Sequence, residues 1–487
     1  MAAGRGPPIM FLTKLLLAPL ATMLAAPPEP STAAAPPQPP LAATAAAPPG
    51  PPSATTPAAP AEPSSATTAA APAAPSSKDA PLDTREPPFG DSDYAWMNGS
   101  NTQPASLLGM GPLTWSLYVD TYYAWQFQQP TDHTIFPTTT APRHNEISLN
   151  LAHLGVDVTG LDGPTGRLYI QYGSIVETIA GQDTTTTRGF YLTNRLLQYV
   201  QQAAAGWHFH SMHGVNTELG IFPSYVGLES YLPEENWCYT HALLADATPY
   251  YFFGFRGQMF PSSRLKIELW VVNGWQTFGE WHEARSGGYL WNWRPNAWLS
   301  LVNSGYIGNE VEGDPSSIRY YSDNNVQVRY FNRPGNSLLR SMAFSLVGDV
   351  GYEHRGNAPS GPMGGATLTH RWDWTEKWKS SLRGDIFYDK TQAISPKFPV
   401  TAYYPWTGTD PFLAGGITTT LDYWPSPWLV TRLEYAHRIA NQPMFSGHGG
   451  ITGPGGLLPT SAQAAATFTP DLRKTDDRLI LNVTLRL

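Results

Sequence analysis

The chain has 487 residues, a formal net charge of −8 and only 14% charged residues, where soluble domains carry about 25%. Hydrophobic residues are an ordinary 41%, while Gly (44), Pro (47), Trp (17) and Tyr (24) are plentiful; a helical membrane bundle is excluded, and a β-rich protein, soluble or membrane-spanning, is admitted. The acidic balance argues against nucleic acid as a partner, and the lone Cys238 rules out an intrachain disulfide or a Cys-based metal site.

In chain order, the first element is signal-like. Arg5 provides a basic flank, Leu15 to Leu20 an apolar run, and Ala25 and Ala26 small residues at its end. Residues 1–26 therefore read as a secretory signal, with Met10 as a second candidate start. Lys14 interrupts the run, which stays below the roughly 18 apolar residues a spanning helix needs. Residues 27–90 read as a disordered, Pro/Ala-rich periplasmic linker: 19 of the 47 prolines lie in 27–88, and no aromatic occurs between Phe11 and Phe89. Such a segment cannot bury enough apolar surface to offset its ordering entropy. Residues 91–112 form a lead-in, and 113–487 the folded part.

From Leu113 the period becomes two. Leu113, Trp115, Leu117, Val119, Thr121, Tyr123, Trp125 and Phe127 share one face; Thr114, Ser116, Tyr118, Asp120, Tyr122 and Gln126 share the other. Fifteen residues is long for a soluble strand. It suits a tilted membrane strand, whose core needs about 9 to 11 residues. The same alternation recurs around Leu265 to Val271, Met342 to Asp349, Leu382 to Tyr388, Ile417 to Tyr423, Arg432 to Tyr435 and Arg478 to Leu487, and every charge in these stretches falls on the polar face. Trp125, Phe127, Tyr388 and Tyr423 stand near strand ends, as interface girdles do. In the second strand the phase switches between Ile147, Leu149, Leu151 and Leu154, Val156, Val158, which a bulge near His153 would produce. Leu196 to Ala205 fits a helical turn as well as a strand.

Short links at Gly160 to Thr165, Ala203 to Gly206, Pro261 to Ser263, Pro295 to Asn296, Asn332 to Asn336, Asp373 to Lys377 and Pro425 to Pro427 alternate with longer ones. The longer ones include Gln128 to His144, Ser174 to Arg188, Pro223 to Pro249, Thr277 to Gly287, Lys390 to Pro411 and Ala440 to Asp477. Short turns on one rim and long loops on the other mark an outer-membrane barrel. The links predict an all-β fold: a transmembrane up-and-down antiparallel barrel of about 16 strands. The strand around Gly288 to Arg294 is the shortest of them.

Several pieces resemble one family. They are LNLAHLGVDV (149–158), ELGIFPSYVGLESY (218–231), VVNGWQTF (271–278), SGYIGNE (304–310) and RLEYAHR (432–438). Together they are similar to the OmpL-like family of outer-membrane β-barrel porins, over most of residues 110–487. The resemblance implies an outer-membrane barrel with a pore function and no defined active site, so no functional residue carries over. One departure is the last residue, Leu487, where outer-membrane barrels usually end on an aromatic that assists assembly.

Three constellations compete with a passive lumen. His208, His210 and His213 suggest a metal, but a site needs further ligands, and lumen or rim residues are the plainer reading. Ser, His and Asp are numerous, but no G-x-S-x-G elbow occurs. The run Gly447 to Gly456 lacks the GK[ST] ending of a phosphate loop and reads as an extracellular loop. No catalytic residue, metal or cofactor is expected.

The inward charges remain. Asp120, Arg256, Lys266, Glu268, Arg329, Asp349, Arg383, Asp385, Asp422, Arg432 and Glu434 are the candidate pore-lining residues. An Arg at the lipid midplane costs about 2 to 4 kcal/mol, which assigns them to the inside. There they either set up a transverse field that orients solutes or neutralise one another and brace the wall. The sequence thus predicts an outer-membrane channel for passive diffusion of small hydrophilic solutes or ions, narrowed by Pro223 to Pro249 or Lys390 to Pro411. A loop-displaying adhesin or receptor with a plugged lumen, and a barrel hydrolase, are the alternatives. Outer-membrane lipid, small polar solutes and the barrel assembly machinery are the expected partners; homo-oligomerisation is left open.

Overall fold

The computed structural model describes residues 89–487 apart from 102–105, 159–160, 184, 186–195, 280–284, 311–314, 337, 357–358, 392, 395–410 and 454–467, together with Ala21–Thr22. The signal and the linker thus lie outside the described residues apart from Ala21–Thr22, Phe89 and Gly90. So do most of the loop from Lys390 to Pro411 and the end of the glycine run after Gly450 to Gly453.

Among the described residues, sixteen strands make one closed antiparallel barrel. They are β1 (Leu113–Gln126), β2 (Ile147–Val158), β3 (Pro164–Tyr172), β4 (Val200–Phe209), β5 (Val215–Pro223), β6 (Tyr251–Ser262), β7 (Leu265–Val272), β8 (Ser286–Asn296), β9 (Leu299–Gly308), β10 (Ser316–Asn332), β11 (Ser341–His354), β12 (Gly361–Asp373), β13 (Trp378–Asp389), β14 (Phe412–Ser426), β15 (Leu429–Ala440) and β16 (Thr475–Arg486). Each pairs with the next, and β16 pairs with β1 from Arg478 opposite Gln126 to Arg486 opposite Tyr118. Leu487 extends this seam, donating to the Leu117 carbonyl at 2.8 Å and accepting from the Leu117 amide at 3.0 Å. Closure leaves no open strand edge, which a hydrocarbon environment demands. Two short helices, α1 (Ser174–Ala180) and α2 (Leu243–Asp246), sit in loops.

Alternation sets inside from outside. Along β13, Leu382 and Ile386 are exposed while Arg383, Asp385 and Phe387 are buried; along β16, Leu479, Leu481 and Val483 are exposed while Arg478, Ile480 and Asn482 are buried. Charges on the outward face would meet lipid, so the register that puts arginines inside is the only affordable one. Aromatics ring both rims. Trp207, Phe209, Trp293, Trp298, Trp374 and Trp378 are exposed at the short-turn end, and Phe127, Tyr172 and Tyr199 at the long-loop end. Trp378 lies against Tyr423 at 4.7 Å and Tyr172 stacks on Tyr199 at 5.3 Å.

Three local expectations are corrected. Ala203 to Gly206 is not a turn: it lies inside β4, paired with Ile221 to Glu218 of β5. The turn follows at His210 to Gly214, where Met212 (φ 57) and Gly214 (φ 113) adopt left-handed backbone. The Ala-rich run carries no alternation, so its small residues imitated a link. The bulge in β2 is at Asn150 and not near His153: Asp120 faces Leu151 while Thr121 faces Leu149. The extra residue turns Leu151 inward, where it is buried with Ile175, Val176 and Ile179 of α1. The phase switch was visible in the sequence, but the residue that absorbs it is fixed by a polar contact, since the Asn150 amide donates to Asp120 at 2.8 Å. Finally, β8 is a full eleven residues. Of the three histidines, His208 and His210 lie edge to face with ring centroids 5.0 Å apart. His208 Nδ1 lies 2.7 Å from Asn216 Oδ1, and His210, beyond the strand, lies 2.5 Å from Asp162. No cluster of three metal-ligating groups forms among the described residues.

Candidate functional site

The lumen is organised by the loop Ser224 to Tyr250 between β5 and β6, which folds inward. Its entry is anchored by aromatic stacking: Tyr225 lies 4.8 Å from Phe252 and 4.7 Å from Trp270. Offset stacking of this kind adds about 0.5 to 1.5 kcal/mol beyond buried area. Next to it, Trp275 packs on Tyr306 and Tyr321 at 4.9 and 5.0 Å. The Trp275 amide and the Tyr306 hydroxyl both donate to Glu310. Burial pushes the Glu310 carboxyl up to about 7, although the Arg319 guanidinium opposes the rise. Three of the pieces that carry the family resemblance, 218–231, 271–278 and 304–310, therefore converge on this anchor.

Beyond the anchor, the loop crosses to the wall of β13 to β16 and β1. Arg383 Nη1 donates to the Thr240 carbonyl at 2.6 Å and to Glu229 at 3.1 Å. Arg432 donates to the carbonyls of Pro233 (2.6 Å) and Glu234 (3.1 Å), while Asp422 lies 3.2 Å from its Nε. Glu434 accepts the Tyr239 amide at 2.5 Å and the Thr240 amide at 2.9 Å. Asp385 accepts the Leu243 amide at 3.2 Å, and Asp120 accepts the Tyr239 hydroxyl at 3.0 Å. Arg438 and Arg486, outside the candidate set, do the same work: Arg438 donates to the His241 carbonyl at 2.6 Å, and Arg486 pairs with Glu234 and Glu235. Arg383, Arg432, Arg438 and Arg478 are all fully buried. Buried guanidiniums persist only when paired or hydrogen-bonded; here loop carbonyls supply acceptors for Arg383, Arg432 and Arg438, while Asp476 on the same strand pairs with Arg478.

The loop's composition explains its seat. Between Ser224 and Tyr250 it carries Glu229, Glu234, Glu235 and Asp246 and no Lys or Arg, so an acidic loop meets an arginine-rich wall. That asymmetry was readable. Arg438 was readable too, since it continues the inward face of Arg432 and Glu434 at period two.

A second plug enters from the short-turn end. The Phe89 amide donates to the Ser263 carbonyl at 2.8 Å, Trp96 Nε1 to Ala297 at 3.0 Å, and Asp93 pairs with Arg329 at 2.6 Å. Arg329 also lies 5.3 Å over the Trp96 ring. The segment then meets the loop: Trp237 donates from its indole to the Trp96 carbonyl at 3.2 Å and from its amide to Asn98 at 2.7 Å. At Gly99 (φ +71) the chains touch so closely that a Cβ would lie 2.0 Å from the Leu228 carbonyl oxygen. Residues 91–99, expected as a lead-in, are thus part of the lumen filling.

The opposite wall remains lined by open space. A cavity of about 350 Å³ lies at the long-loop end between α1, β3, β4 and the loop, and one of about 410 Å³ at the short-turn end against β3, β4 and β6 to β10. Gly99, Gln202, Pro223, Ser224, Gly227 and Leu228 line both, so the two abut. Of the candidate residues, Arg256, Lys266 and Glu268 face the second cavity. Arg256 pairs with Glu218, and Lys266 with Glu268 at 2.8 Å. Asp349, opposite Asp323 in register, accepts the Tyr321 hydroxyl at 2.7 Å, and Asp323 accepts the Gly227 amide of the loop at 2.6 Å.

Residues 112–469 match the family model described as "Putative beta-barrel porin-2, OmpL-like". The chain belongs to this family. It is a porin-like channel protein of the outer membrane, as the family and the closed sixteen-strand barrel together require. No curated protein matches it in sequence. Solved structures with a similar fold include OmpT, an outer membrane protein of Vibrio cholerae (8% identity, 79% of this chain and 100% of that one, TM-score 0.46). They also include an anion-selective porin from Comamonas acidovorans (9%, 77% and 99%, TM-score 0.46) and the outer membrane channel DcaP of Acinetobacter baumannii (8%, 78% and 100%, TM-score 0.45). At such identities the likeness is one of fold.

Proposed function

We propose that this OmpL-like barrel passes small hydrophilic solutes by passive diffusion, along the space that the inserted loop leaves beside β3 to β9, with the loop Ser224 to Tyr250 as its constriction. The observation that carries this reading is the division of the wall charges. The candidate charges of β13 to β15 and β1 are committed to the loop, Asp422 through Arg432, whereas Arg256, Lys266 and Glu268 face one of two abutting cavities. The candidate pore-lining set thus splits: Asp120, Arg383, Asp385, Asp422, Arg432 and Glu434 hold the constriction in place, Arg329 holds the N-terminal segment, Asp349 braces Tyr321 on the wall, and Arg256, Lys266 and Glu268 line the path. Water-filled lumens tolerate such polar linings at little cost.

The test is single-channel conductance in a planar bilayer, for the natural chain and for a variant with residues 229–247 replaced by a short Gly/Ser link. A severalfold rise in the variant supports the constriction; an unchanged conductance removes it. A natural chain and variant that both fail to conduct would instead favour the receptor with a plugged lumen, a reading that the double filling from loop and N-terminal segment keeps in play.

A further inference from the structure

We propose that the cavity at the short-turn end is an anion-binding vestibule, which takes small solutes bearing a carboxylate or phosphate group and gives the channel an anion preference. This deepens the channel reading above and rests on it. The cavity is lined by Arg167, Arg256, Lys266 and Arg294, with Glu268 the lining carboxylate. Glu218 lies beneath and is shared: Arg167 approaches one oxygen at 3.2 Å and Arg256 pairs with the other. Lys266 is neutralised by Glu268 at 2.8 Å. Arg294 has no carboxylate partner among the described residues. Its guanidinium lies 4.2 Å over Phe89 and 5.0 Å over Tyr94, and its Nε donates to Asn292 at 3.3 Å. Two further carboxylates do not line the cavity: Asp157, 4.0 Å from Arg167, and Asp323, which accepts the Gly227 amide at 2.6 Å and the Asn325 side-chain amide at 3.1 Å. The lining side chains alone carry four positive charges against the one of Glu268; Glu218 and Asp157 narrow the surplus to one, and it closes only when Asp323 is added.

The long-loop cavity has no such surplus. Glu229 there is paired with Arg383, and Glu235 with Arg486. A solute's charge is therefore sensed at the short-turn end. The chemistry fits anions with several oxygens: guanidinium forks match carboxylate and phosphate geometry, and the side-chain amides of Asn292, Asn325 and Gln327 lie on the same wall, with Asn325 also donating to Asp323 and Gln327 to the Asn98 carbonyl. Field focusing in a narrow, low-dielectric cleft enriches the counter-ion by roughly tenfold or more. The aromatic cover from Phe89 and Tyr94 orients Arg294 without neutralising it.

The experiment is the reversal potential of the folded full-length barrel in a planar bilayer under a potassium chloride gradient, repeated for Arg294→Gln, Lys266→Gln and Glu268→Gln. The proposal predicts chloride permeability roughly tenfold above potassium. Arg294→Gln and Lys266→Gln should move the potential toward potassium, and Glu268→Gln further toward chloride. Opposite shifts from opposite charges are not produced by a general loosening of the wall, and heat-dependent gel mobility shows which variants fold. Added inorganic phosphate should reduce chloride current, less so in Arg294→Gln. Conductance without anion preference, or shifts indifferent to the sign of the charge removed, overturns the vestibule and leaves the channel standing. No conductance at all overturns the channel reading, and the vestibule with it.

Discussion

The two sides of this barrel are woven from the same alternating strands but put their inward charges to different uses. Along β13 to β15, the arginines that meet the loop are sealed: Arg383 is 0% exposed, and Arg432 and Arg438 are each 1% exposed. Along β3 to β9, the side chains of Arg167 and Lys266 keep 29% and 23% of their surface open, and their partners are wall carboxylates. A buried charge needs a full set of partners, whereas a solvated one does not. The sealed side therefore reads as structure, because it positions the loop. The open side reads as lining, because it keeps charge available to whatever enters.

This contrast can be broken in order of expected effect. Arg432→Ala strips the donors from the Pro233 and Glu234 carbonyls and leaves Asp422 short of a partner. Breaking one member of a buried pair costs about 3 to 5 kcal/mol, which denaturant unfolding in detergent would register, together with higher conductance as the loop loosens. A smaller loss, about 3 kcal/mol by the lower range for aromatic-to-Ala changes, is expected for Trp96→Ala. It removes the bond to Ala297 and the ring beneath Arg329 and should raise conductance from the short-turn side. Similar in size is the pH response of the anchor. Glu310 holds its proton up to about 7 in the folded chain, against an ordinary value of 4.5. Its contribution is thus complete below pH 4.5 and lost as pH rises through 7. The heat-modifiability midpoint should fall over that window, by about 3 kcal/mol in equivalent stability, and Glu310→Gln should flatten the response. At the bottom, Gln202→Ala on the cavity wall should change stability by no more than about 0.5 kcal/mol while widening the passage.

Much of the barrel was legible in the sequence because its cause is local. Period-two alternation is a property of each strand alone, and the lipid penalty on charge fixed the inward face of β7, β11, β13 and β16. Where alternation faded, so did legibility: the Ala203 to Gly206 run carried no face, and the true turn was set by backbone conformation at Met212 and Gly214. The inward position of the candidate charges was legible for the same local reason, but their division was not. Which arginine meets loop carbonyls and which meets a cavity depends on contacts far apart in the chain, such as Arg383 with Thr240 or Arg329 with Asp93. The one sequence signal for it was the loop itself, acidic and without Lys or Arg, facing strands rich in arginine.

The native Cys238 offers the most direct test of the seated loop. It lies in the middle of that loop, is buried, and burial pushes its thiol up to about 12. A thiol so placed is neither accessible nor ionised near neutrality. The rate at which a water-soluble maleimide labels the folded barrel in detergent, compared with the heat-unfolded chain, therefore reports whether the loop is in the lumen. The expected result is protection in the folded barrel that weakens in Arg432→Ala. Labelling of the folded natural chain as fast as the unfolded one would mean that the loop does not occupy the lumen, and the division of the two walls would fall with it.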